Sequence, residues 1–524
     1  MYLVTADEMR EMDRQTIESF GLPGRILMEN AGRGATRILL NRFDHLCDFD
    51  VGVVAGRGNN GGDGFVIARY LTQKGIPVAV YLLGKKDQVK GDAEANLKLL
   101  EPLNINVIEL ENAGQFKDQK SSMSQHNLWV DAIFGTGLNS DVRGYFRDVI
   151  EFINQSNKPV LSVDIPSGLN ADTGQPCGIS VRAHATATFG FAKLGHMTCP
   201  GVSYTGNLDI VDIGIPPHIV KIVNPLQILL TPEVISKKLV PRAPDAHKGD
   251  TGHLLVIAGS TGKTGAAAMT AASAVRAGAG LVTLGVPKQL NPIMETLVVE
   301  SMTWPLPDTP EGLLDESSFE EIMDLLSGKQ ALAIGPGIGM TEGIKSLVHR
   351  ILQEISVPLV IDADGLNALA GHADILKKSG APIILTPHPG EMARLVDTTS
   401  REIQQDRIGS ARHFSRRFNV HLVLKGARTV IAHPDGTVFI NPTGNSGMAS
   451  GGMGDVLTGM IAGFLAQGYA PESAAHLGVY LHGSGADYLA RKKGPVGFLA
   501  SEVMNRIPEE IRRIANRNWK LETG

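Results

Sequence analysis

The chain has 524 residues, of which 43% are hydrophobic and 20% charged, and its formal net charge is -5. This length exceeds what one hydrophobic core organises, so we expect two or three domains, and the ordinary composition excludes a largely disordered chain. Acidic and basic residues are mixed throughout, which gives no electrostatic footprint for nucleic acid or an acidic membrane surface and favours a small-molecule ligand.

The cysteines and the N-terminal segment restrict the compartment. Cys47, Cys177 and Cys199 lack CxxC or ligand-like spacing, so neither a disulfide framework nor a zinc site is indicated. The first residues carry charge and no apolar segment, which argues against a signal peptide, and no apolar run is long enough to span a bilayer. No mitochondrial presequence is apparent either. A reducing, cytoplasmic location is therefore expected.

The first half shows the rhythm of a parallel sheet wrapped by helices. Thr5 to Glu8 has the spacing of a capping box, so the chain is expected to open with helices. Short apolar runs then alternate with helical patterns. The runs lie at 51–56, 77–83, 128–135 and 159–166, with a closing strand at 207–217. The stretch at 218–245, with spaced prolines and lysines, is interpreted as a connector between domains.

The alternation restarts after this connector and predicts a second α/β domain. Its apolar runs lie at 253–260, 280–287, 331–339, 358–365, 382–390 and 421–427. The segment 301–317 is rich in proline and acid and is interpreted as a surface loop. The halves do not repeat each other in motif content. A fusion of two activities is therefore favoured over a duplication.

A glycine loop follows the first of these strands. Gly56 to Gly64 contains GxGxxG between a strand and a helix, which makes dinucleotide binding a candidate. An ordinary dehydrogenase would carry an acidic residue near the end of the second strand, where this chain has Leu83-Gly84-Lys85-Lys86. The alternative is a turn that only packs helix on strand. The polar Asn59, Asn60 and Asp63 favour function, because packing does not need them.

Two further strand ends carry polar residues toward the same crevice. Asp131 precedes Gly135-Thr136-Gly137-Leu138, and Asp164 precedes Ser167 and Gly168. Ligands of open parallel sheets bind outside the carboxyl ends of the strands. Asn60, Asp131 and Ser167 offer oxygen ligands suited to a hard cation, and Asp164 is a candidate acid or base. Any one aspartate alone would more often cap a helix or a turn.

The motifs MENAG (28–32), GRGNNGGDG, DAIFGTGL, DIPSGLNADTG and FGFAKLGHMTCPG together resemble the NAD(P)H-hydrate epimerase family over roughly residues 1–220. The resemblance implies a Rossmann-like sheet, a potassium ion held by Asn60, Asp131 and Ser167, and contact of Asp164 with the substrate. Relatives of this type also include non-enzymatic scaffolds, against which the retained oxygen ligands and Asp164 speak. The residues implied to hold the damaged dinucleotide are Asn59, Asn60, Gly61, Gly62, Asp63, Gly135, Thr136, Gly137, Leu138, Asn139, Ser140 and Asp141.

Candidate site residues in the second half also follow strands. Gly259 to Gly265 has the wrong spacing for a Walker A loop. Asp362 and Asp364 follow a strand, where capping of the next helix is slightly favoured over organising a metal and water. His388 lies in a rigid proline-flanked turn and would usually be structural, and Lys425 offers positive charge to a phosphate.

The stretch SGMASGGMGD at 446–455 precedes an apolar helical pattern. The N–H groups of Gly451 to Gly454 at a helix N-terminus suit a phosphate or its transition state, and Asp455 is placed to accept a hydroxyl proton. The alternative is a first-turn charge favoured by the helix dipole. This arrangement, late in an α/β domain, resembles the ribokinase-like superfamily and favours the functional interpretation.

The finer pattern GSTGKTGAAAMTAASAVRAGAGLVT, GPGIG, DADGLNAL, LTPHPGEMARL, KGART and GNSGMASGGMGDVLTGMIAG resembles the ADP-dependent NAD(P)H-hydrate dehydratase family over roughly residues 230–515. The resemblance implies ADP as co-substrate, with ATP possible and Mg2+ as cofactor, and Asp455 as the catalytic group. The hydrate contacts it implies are Ala266, Gly337, His388 and Asp455, and the nucleotide contacts are Lys425, Gly426, Ala427, Arg428, Thr429 and Gly454.

Together the two resemblances predict a bifunctional enzyme that repairs hydrated NADH and NADPH, with an epimerase domain at 1–222 and a dehydratase domain at 223–520. The apolar helices at the N-terminus suit a homo-oligomer. The rival hypothesis is a ribokinase-like small-molecule kinase whose first half is a regulatory nucleotide sensor. A second rival is that the first half only binds, without catalysis, nucleotides or RNA.

Overall fold

The structure is a computed structural model that describes residues 1–44 and 50–517. Cys47 and residues 518–520 of the predicted second domain lie outside the described residues. The chain divides into two compact units, one formed by Tyr2–Gln227 and the other by Ile228–Gly524 together with Met1. Each unit is an α/β layer built on a mainly parallel sheet, which confirms the predicted fold class.

The first unit is organised by a seven-stranded parallel sheet. Its strand order is β4-β3-β2-β5-β6-β7-β9, so the order reverses between β2 and β5. A separate parallel pair joins β1 to β8, with Val4 opposite Lys193. The strands of this unit are β1 (Tyr2–Val4), β2 (Val51–Ala55), β3 (Val78–Leu82), β4 (Asn106–Glu109), β5 (Leu128–Ala132), β6 (Val160–Val163), β7 (Ala185–Phe189), β8 (Ala192–Lys193) and β9 (Asn207–Val211).

Helices cover this sheet, and the predicted capping box is confirmed. Thr5 Oγ1 accepts from the Glu8 N–H, and Glu8 Oε2 accepts from the Thr5 N–H. The chain nevertheless opens with strand β1 rather than with a helix. The helices are α1 (Ala6–Glu18), α2 (Gly24–Arg42), α3 (Asn59–Gln73), α4 (Gly91–Lys98), α5 (Ala113–Met123), α6 (Tyr145–Gln155), α7 (Leu194–Met197), α8 (Val202–Thr205) and α9 (Pro217–Val223).

The central strands are buried along their whole length because helices cover both faces of the sheet. All residues of β2 and β5 are buried, including Asp131 within β5. A parallel sheet of this kind produces continuous apolar runs rather than alternating ones, and this is why the runs at 51–56 and 128–135 were predictable. The predicted closing strand is β9, at the edge of the sheet.

The second unit contains a nine-strand order, β13-β12-β11-β14-β15-β16-β17-β18-β19. The first seven strands in that order are parallel, and β18 and β19 form an antiparallel hairpin after β17. The order reverses between β11 and β14. The strands from the boundary onward are β10 (Gln227–Leu229), β11 (His253–Ile257), β12 (Leu281–Pro287), β13 (Met302–Leu306), β14 (Ala331–Ile334), β15 (Leu359–Ile361), β16 (Ile383–Leu385), β17 (His421–Leu424), β18 (Val430–Ala432) and β19 (Val438–Ile440).

Helix α19 is the buried helix of this unit and packs against α11 and α20. A Cβ at Gly459 would lie 2.1 Å from the Thr270 carbonyl oxygen, so glycine lets the two helices approach. The helices are α10 (Pro232–Ser236), α11 (Thr264–Ala277), α12 (Asn291–Leu297), α13 (Phe319–Leu325), α14 (Glu342–Glu354), α15 (Asp364–Asn367), α16 (Pro389–Val396), α17 (Ser400–Gln405), α18 (Arg407–Phe418), α19 (Met453–Ala466), α20 (Pro471–Lys493) and α21 (Ala500–Ala515). Short 3-10 helices occupy Lys86–Gln88, Glu101–Leu103, Lys288–Leu290, Glu316–Ser318, Ala373–Lys378 and Ser446–Met448.

One sequence prediction was wrong in part. The segment 301–317 is not only a loop, because β13 pairs in parallel with β12 at the edge of the sheet. An edge strand tolerates Pro305, whose missing N–H leaves no ladder bond unmade inside the sheet. The connector predicted at 218–245 contains α9, β10 and α10, and the division between the two units falls within it. Among the helices of the described chain, none combines the length and apolar character needed to cross a bilayer.

Candidate active sites

The first unit has a cavity of about 680 Å3 where the order of its strands reverses. Its walls come from the segments that follow β2 and β5, from Asp164 after β6, and from helices α1 and α2. The carboxyl ends of neighbouring parallel strands diverge at such a reversal and leave a crevice, which is where open α/β sheets bind ligands.

The cavity brings together many of the predicted dinucleotide contacts. Those that line it are Asn59, Asn60, Asp63, Gly135, Thr136, Gly137, Leu138 and Asp164. Gly61, Gly62, Asn139, Ser140 and Asp141 are not among its lining residues. A Cβ at Gly61 would lie 1.9 Å from the Gly56 carbonyl oxygen, so this glycine serves close packing of α3 on the strand end. The packing interpretation of the loop therefore holds for part of it.

Asp164 directly follows strand β6 and has a strained backbone conformation, with φ +64°. Its Oδ1 accepts three hydrogen bonds, from Lys193 Nζ at 2.5 Å, from Thr188 Oγ1 at 3.1 Å and from the Phe189 N–H at 3.2 Å. Burial acts to raise the pKa of Asp164, but Lys193 outweighs it and holds the pKa below its ordinary value. Asp164 is therefore ionised at neutral pH.

Lys193 is the residue that the sequence analysis missed at this site. It is fully buried, and Nζ donates to Asp164 Oδ1, to Thr188 Oγ1 at 2.9 Å and to the Phe189 carbonyl oxygen at 3.1 Å. An ammonium group has three protons, so these acceptors use all of them. The signal in the sequence was a lysine inside the apolar FGFAKLG run, since lysine is rarely buried without a partner.

Three further carboxyl groups line the same cavity, Asp13 from α1, Asp63 from α3 and Asp92 from α4. Burial raises the pKa of Asp13 to about 6, although Lys193 acts to lower it and Asp164 adds to the rise. Burial also raises the pKa of Asp63 well above its ordinary value, with Asp164 and Asp13 contributing. One ionised carboxylate thus shares the cavity with two carboxyls that retain protons more readily.

The predicted cation ligands are buried near one another. Asp131 Oδ2 accepts from the Ser167 N–H at 2.9 Å and from Ser162 Oγ at 2.8 Å, and the Asn60 side chain comes within reach of the Gly135 turn. Within the described ranges 1–44 and 50–517, both polar atoms of the Asn60 side chain are buried without a hydrogen-bond partner. Burial raises the pKa of Asp131, and only partial compensation comes from its hydrogen bonds to Ser167 and Ser162. An oxygen-binding cation fits this donor set.

A different class of metal site is not found: within residues 1–44 and 50–517, no group of three or more His, Cys, Asp or Glu side chains is arranged to hold a metal ion.

The second unit places Asp455 in the first turn of α19, directly after a glycine turn. Gly452 is the N-cap and has φ +88°, a left-handed conformation that favours glycine. The N–H groups in the first turn of α19 have no hydrogen-bond partner within the helix, so they can donate to a group bound at its N-terminus. Burial raises the pKa of Asp455 to about 6, Asp362 and Asp364 add to the rise, and Lys425 opposes it.

Lys425 forms an ion pair with Asp362, so its positive charge is not reserved for a nucleotide. Its Nζ donates to Asp362 Oδ1 at 2.6 Å and lies 3.8 Å from Glu391 Oε2. Asp362 Oδ2 accepts from Thr458 Oγ1 of α19 at 2.8 Å. Burial acts to lower the pKa of Lys425, but Asp362 and Glu391 outweigh it and hold the pKa above its ordinary value. A Cβ on Gly454 would lie 3.4 Å from Lys425 Nζ, so this amine reaches the glycine turn.

His388 is tied to the same network through Glu391. It is the N-cap of α16, where Nδ1 accepts from the Gly390 N–H at 3.0 Å. Glu391 Oε2 accepts from the His388 N–H at 2.8 Å, which completes a reciprocal cap. The side chain of His388 is about half exposed. The structural role expected of a lone histidine is therefore present, and an accessible ring remains beside it.

Ala266 follows β11 and Gly337 follows β14, the two strands between which the strand order of the second unit reverses. The two residues lie next to each other. A Cβ on Gly337 would lie 3.2 Å from the Ala266 Cβ and 3.0 Å from the Lys263 Cβ. Lys263 Nζ pairs with Asp364 Oδ2 at 2.9 Å, and the Gly339 N–H donates to the same oxygen. Asp364 therefore belongs to an ion pair and does not cap α15 with its side chain. The sequence analysis slightly favoured capping, which is wrong for Asp364, and it did not find Lys263.

The Arg407 guanidinium contacts the backbone of the loop Lys425 to Thr429. No motif in the sequence points to this arginine. The Arg407 guanidinium donates to the carbonyl oxygens of Leu424, Lys425 and Ala427. Arg428 has φ +56° and Thr429 Oγ1 donates to the Gly426 carbonyl oxygen. Arg407 thus occupies several carbonyls here, and the Lys425 N–H donates to the Pro387 carbonyl oxygen. The N–H groups at 426–429 are the ones that this loop can present to an anion.

Two family models match the chain, one for each half. The model described as "YjeF-related protein N-terminus" matches residues 24–195, and the model described as NAD(P)H-hydrate dehydratase matches residues 254–509.

Relatives match nearly the whole length. The bifunctional NAD(P)H-hydrate repair enzyme Nnr of Moorella thermoacetica is 42% identical over 515 residues, which cover 98% of this chain and 97% of the relative. The enzyme of that name from Thermofilum pendens is 36% identical over 98% of this chain and 97% of its own. A solved structure of an ADP/ATP-dependent NAD(P)H-hydrate dehydratase from Bacillus subtilis is 34% identical, with a TM-score of 0.49 over 55% of this chain and 98% of that chain. The full-length identity shows that this chain belongs to the family of bifunctional NAD(P)H-hydrate repair enzymes.

Proposed function

We propose that the protein restores hydrated NADH and NADPH to the functional cofactors. Residues 1–222 would interconvert the R and S epimers of the hydrates, and residues 223–520 would dehydrate the S epimer at the expense of ADP, with AMP and phosphate as products. Both activities serve one purpose, because spontaneous hydration yields both epimers and a stereospecific dehydratase removes only one. Family membership over the full chain supports this assignment.

The observation that carries the epimerase assignment is an ionised carboxylate inside the dinucleotide cavity. The cavity lies where the sheet order reverses, and the first turn of α3 offers N–H groups to a pyrophosphate. Water adds to a dihydronicotinamide, which is an enamine, at the carbon bonded to the ring nitrogen. Exchanging the hydroxyl at that carbon needs proton transfer, and Asp164 is the cavity group held ionised for it.

We further propose that Asn60, Asp131 and Ser167 hold a potassium ion. The unpartnered oxygen of the Asn60 side chain and the buried Asp131 carboxylate support this ligand set. The bound cation would supply positive charge beside the glycine turns that receive the substrate. Asn60 also lines the cavity, which links the cation site to the ligand.

In the second unit, Asp455 would accept the proton of the hydrate hydroxyl while that oxygen attacks the terminal phosphorus of the nucleotide. The P–O bond to AMP breaks and its electron pair leaves with AMP. The C–O bond then breaks and its electron pair leaves with phosphate. The departing phosphate takes a proton from the neighbouring carbon, and the C–H electron pair forms the ring double bond. The N–H groups at Gly454 and from Gly426 to Thr429, with the Lys425 amine, would stabilise charge on the phosphate.

The acidic residues of this site do not form a vacant magnesium site. Asp362 is paired with Lys425, and Asp364 is paired with Lys263. Both carboxylates already have a cationic partner. Mg2+ would therefore enter this site only as the counterion of the bound nucleotide.

Two further proposals concern the cellular compartment and the oligomeric state. We propose a cytoplasmic enzyme, since its substrates are damaged forms of soluble cofactors. We also propose a homo-oligomer, in which exposed apolar side chains of the first helices, such as Phe20 and Ile26, contribute to contacts between copies. Light scattering of the purified chain measures its mass directly and would exclude this if it gave that of one chain.

The first test is incubation of the pure protein with both NADH hydrates and ADP, ATP or neither, while the absorbance of reduced nicotinamide is followed. Full, nucleotide-dependent recovery is expected. Recovery that stops at the S fraction would remove the epimerase activity and leave the dehydratase. A stable phosphorylated product without recovery would instead establish a kinase.

A further inference from the structure

Helix α1 presents an acid in the middle of an apolar row. Met9, Asp13 and Ile17 are spaced by four residues, so they lie on one face of the helix, and all three line the dinucleotide cavity. Asp13 Oδ1 is buried and has no hydrogen-bond partner within residues 1–44 and 50–517. A buried polar atom without a partner destabilises the fold unless something else satisfies it. This points to a ligand group at Asp13.

The strand pairing explains how this acid reaches the site. Strand β1 leads directly into α1, and it pairs in parallel with β8, which carries Lys193. Asp172 Oδ1 accepts from the Ala6 N–H at 2.7 Å and fixes the start of the helix. Asp13 is therefore held in the electrostatic range of the Lys193 and Asp164 pair, although it is far from both in sequence.

The Asp164 and Lys193 pair cannot perform the whole reaction. Exchanging the hydroxyl of the hydrate requires an acid, which protonates the departing oxygen, and a base, which takes a proton from the water that returns on the other face. Asp164 is ionised and serves as the base. The three protons of Lys193 are all donated to protein acceptors, so this amine positions Asp164 and has no proton to spare. A second group must supply the proton.

We propose that Asp13 is that second catalytic residue: its carboxyl protonates the departing hydroxyl of the hydrate, and Asp164 deprotonates the water that adds to the opposite face. This inference rests on the proposed epimerase function of the first unit.

The atoms and electrons balance in two steps. The C–O bond breaks as Asp13 gives its proton, its electron pair leaves with water, and the nitrogen lone pair forms a C=N bond. Water then forms the new C–O bond, gives its proton to Asp164, and the C=N pair returns to nitrogen. Asp13 ends ionised and Asp164 protonated, and exchange with cavity water resets both. The roles reverse for the opposite direction.

The charged groups around Asp13 agree with this assignment. Asp164 and Lys193 line the cavity from the sheet side, and Arg10 lines it from α1 itself. The other charged residues of its lining are Arg57, Asp63 of α3 and Asp92 of α4. Burial raises the pKa of Asp13 to about 6, near the working pH, as suits a group that must both give and regain a proton. Burial raises the pKa of Asp63 well above its ordinary value, with Asp164 and Asp13 adding to the rise, so Asp63 is suited to donating a hydrogen bond.

The test measures exchange between purified R and S hydrates by chromatography in the absence of nucleotide. We expect Asp13→Asn to slow exchange by about 100-fold or more, the usual effect of losing a general acid. Binding of the hydrate by calorimetry and dehydration of the S epimer should stay within about threefold of the wild type. Glu18→Gln, a matched carboxyl-to-amide change on the exposed side of α1, should exchange the epimers normally. Formate should restore part of the exchange rate to Asp13→Ala.

Each alternative outcome is distinct. Wild-type exchange by Asp13→Asn overturns the inference, as does loss confined to Asp63→Asn. Joint loss of exchange and hydrate binding, without formate rescue, assigns Asp13 a structural role and also overturns it. If the wild-type chain exchanges no epimers while it still dehydrates the S form, the proposed epimerase function fails, and the role of Asp13 fails with it.

Discussion

Each unit combines an aspartate and a lysine, but the two lysines are used differently. In the first unit Lys193 pairs with Asp164 itself and keeps it ionised. In the second unit Lys425 pairs with Asp362, and burial, to which Asp362 and Asp364 add, raises the pKa of Asp455 to about 6. One lysine therefore fixes the reacting carboxylate, whereas the other neutralises a neighbour of the reacting carboxylate. The two sites should consequently differ in their response to substitution and to pH.

The largest expected effect comes from removing the reacting group of the second unit. Asp455→Asn should lower dehydration of the pure S hydrate by about 100-fold to 10,000-fold, because the amide cannot accept the hydroxyl proton. Epimer exchange should be unchanged. The rate is measured as the return of reduced-nicotinamide absorbance with ADP. Asp374→Asn, a surface carboxyl-to-amide change in the same unit, is the control and should dehydrate normally. Equal rates in both variants would show that Asp455 is only a first-turn charge.

The next effect tests the lysine of the first unit as a positioning residue. Lys193→Met should slow epimer exchange by about 10-fold to 100-fold and destabilise the protein by about 3–5 kcal/mol, since it leaves a buried carboxylate without its partner. Adding Asp164→Asn should recover much of the free energy of unfolding, because the buried charge is removed, but no exchange activity. Denaturant unfolding and epimer exchange measure the two quantities. A double variant as unstable as Lys193→Met would show that packing of the lysine, not its charge, matters.

How far the sequence predicted these sites follows from the same physics. Strands buried on both faces produce continuous apolar runs, and ligands of parallel sheets collect at strand ends, so Asp164, Gly337 and Asp455 could be selected without coordinates. Lys193 carried one signal, as a lysine inside an apolar run, but its partner was not evident from the sequence. Asp13 carried none, because the pairing of β1 with β8 is what brings helix α1 to this site. Arg407 could not be predicted because it donates to backbone carbonyl oxygens, which every residue has, so no sequence motif indicates this contact.

Acidification should separate the two activities by about tenfold. Asp455 must be ionised to accept a proton, and with a pKa of about 6 it loses most of its charge between pH 7 and pH 5. Dehydration should fall by about 10-fold over this range. Epimer exchange should not fall with it, because the pKa of Asp164 is lowered and that of Asp13 is about 6, so acid protonates Asp13 and spares Asp164. Both rates are measured after subtraction of the protein-free reaction. A parallel decline would contradict the contrast between the two lysines.

The smallest expected effect concerns backbone strain, which both sites contain at non-glycine residues. Asp164 has φ +64° and Ala363 has φ +50° with ψ -118°. The strained residue of the first unit carries the reacting side chain, whereas Ala363 only joins Asp362 to Asp364. Strain can therefore be relieved in the second unit without removing a functional group.

Ala363→Gly should accordingly stabilise the protein by about 1 kcal/mol, the balance between relieved strain of about 1–3 kcal/mol and the added chain entropy of glycine, about 0.5–1 kcal/mol. Dehydration should slow by only a few-fold, because glycine loosens the spacing between the two carboxylates that surround Asp455, whereas epimer exchange should not change. Thermal unfolding and the two rates measure these effects. A destabilised variant would show that the Ala363 methyl group packs usefully and that the strain is stored elsewhere, so the two sites would no longer share this device.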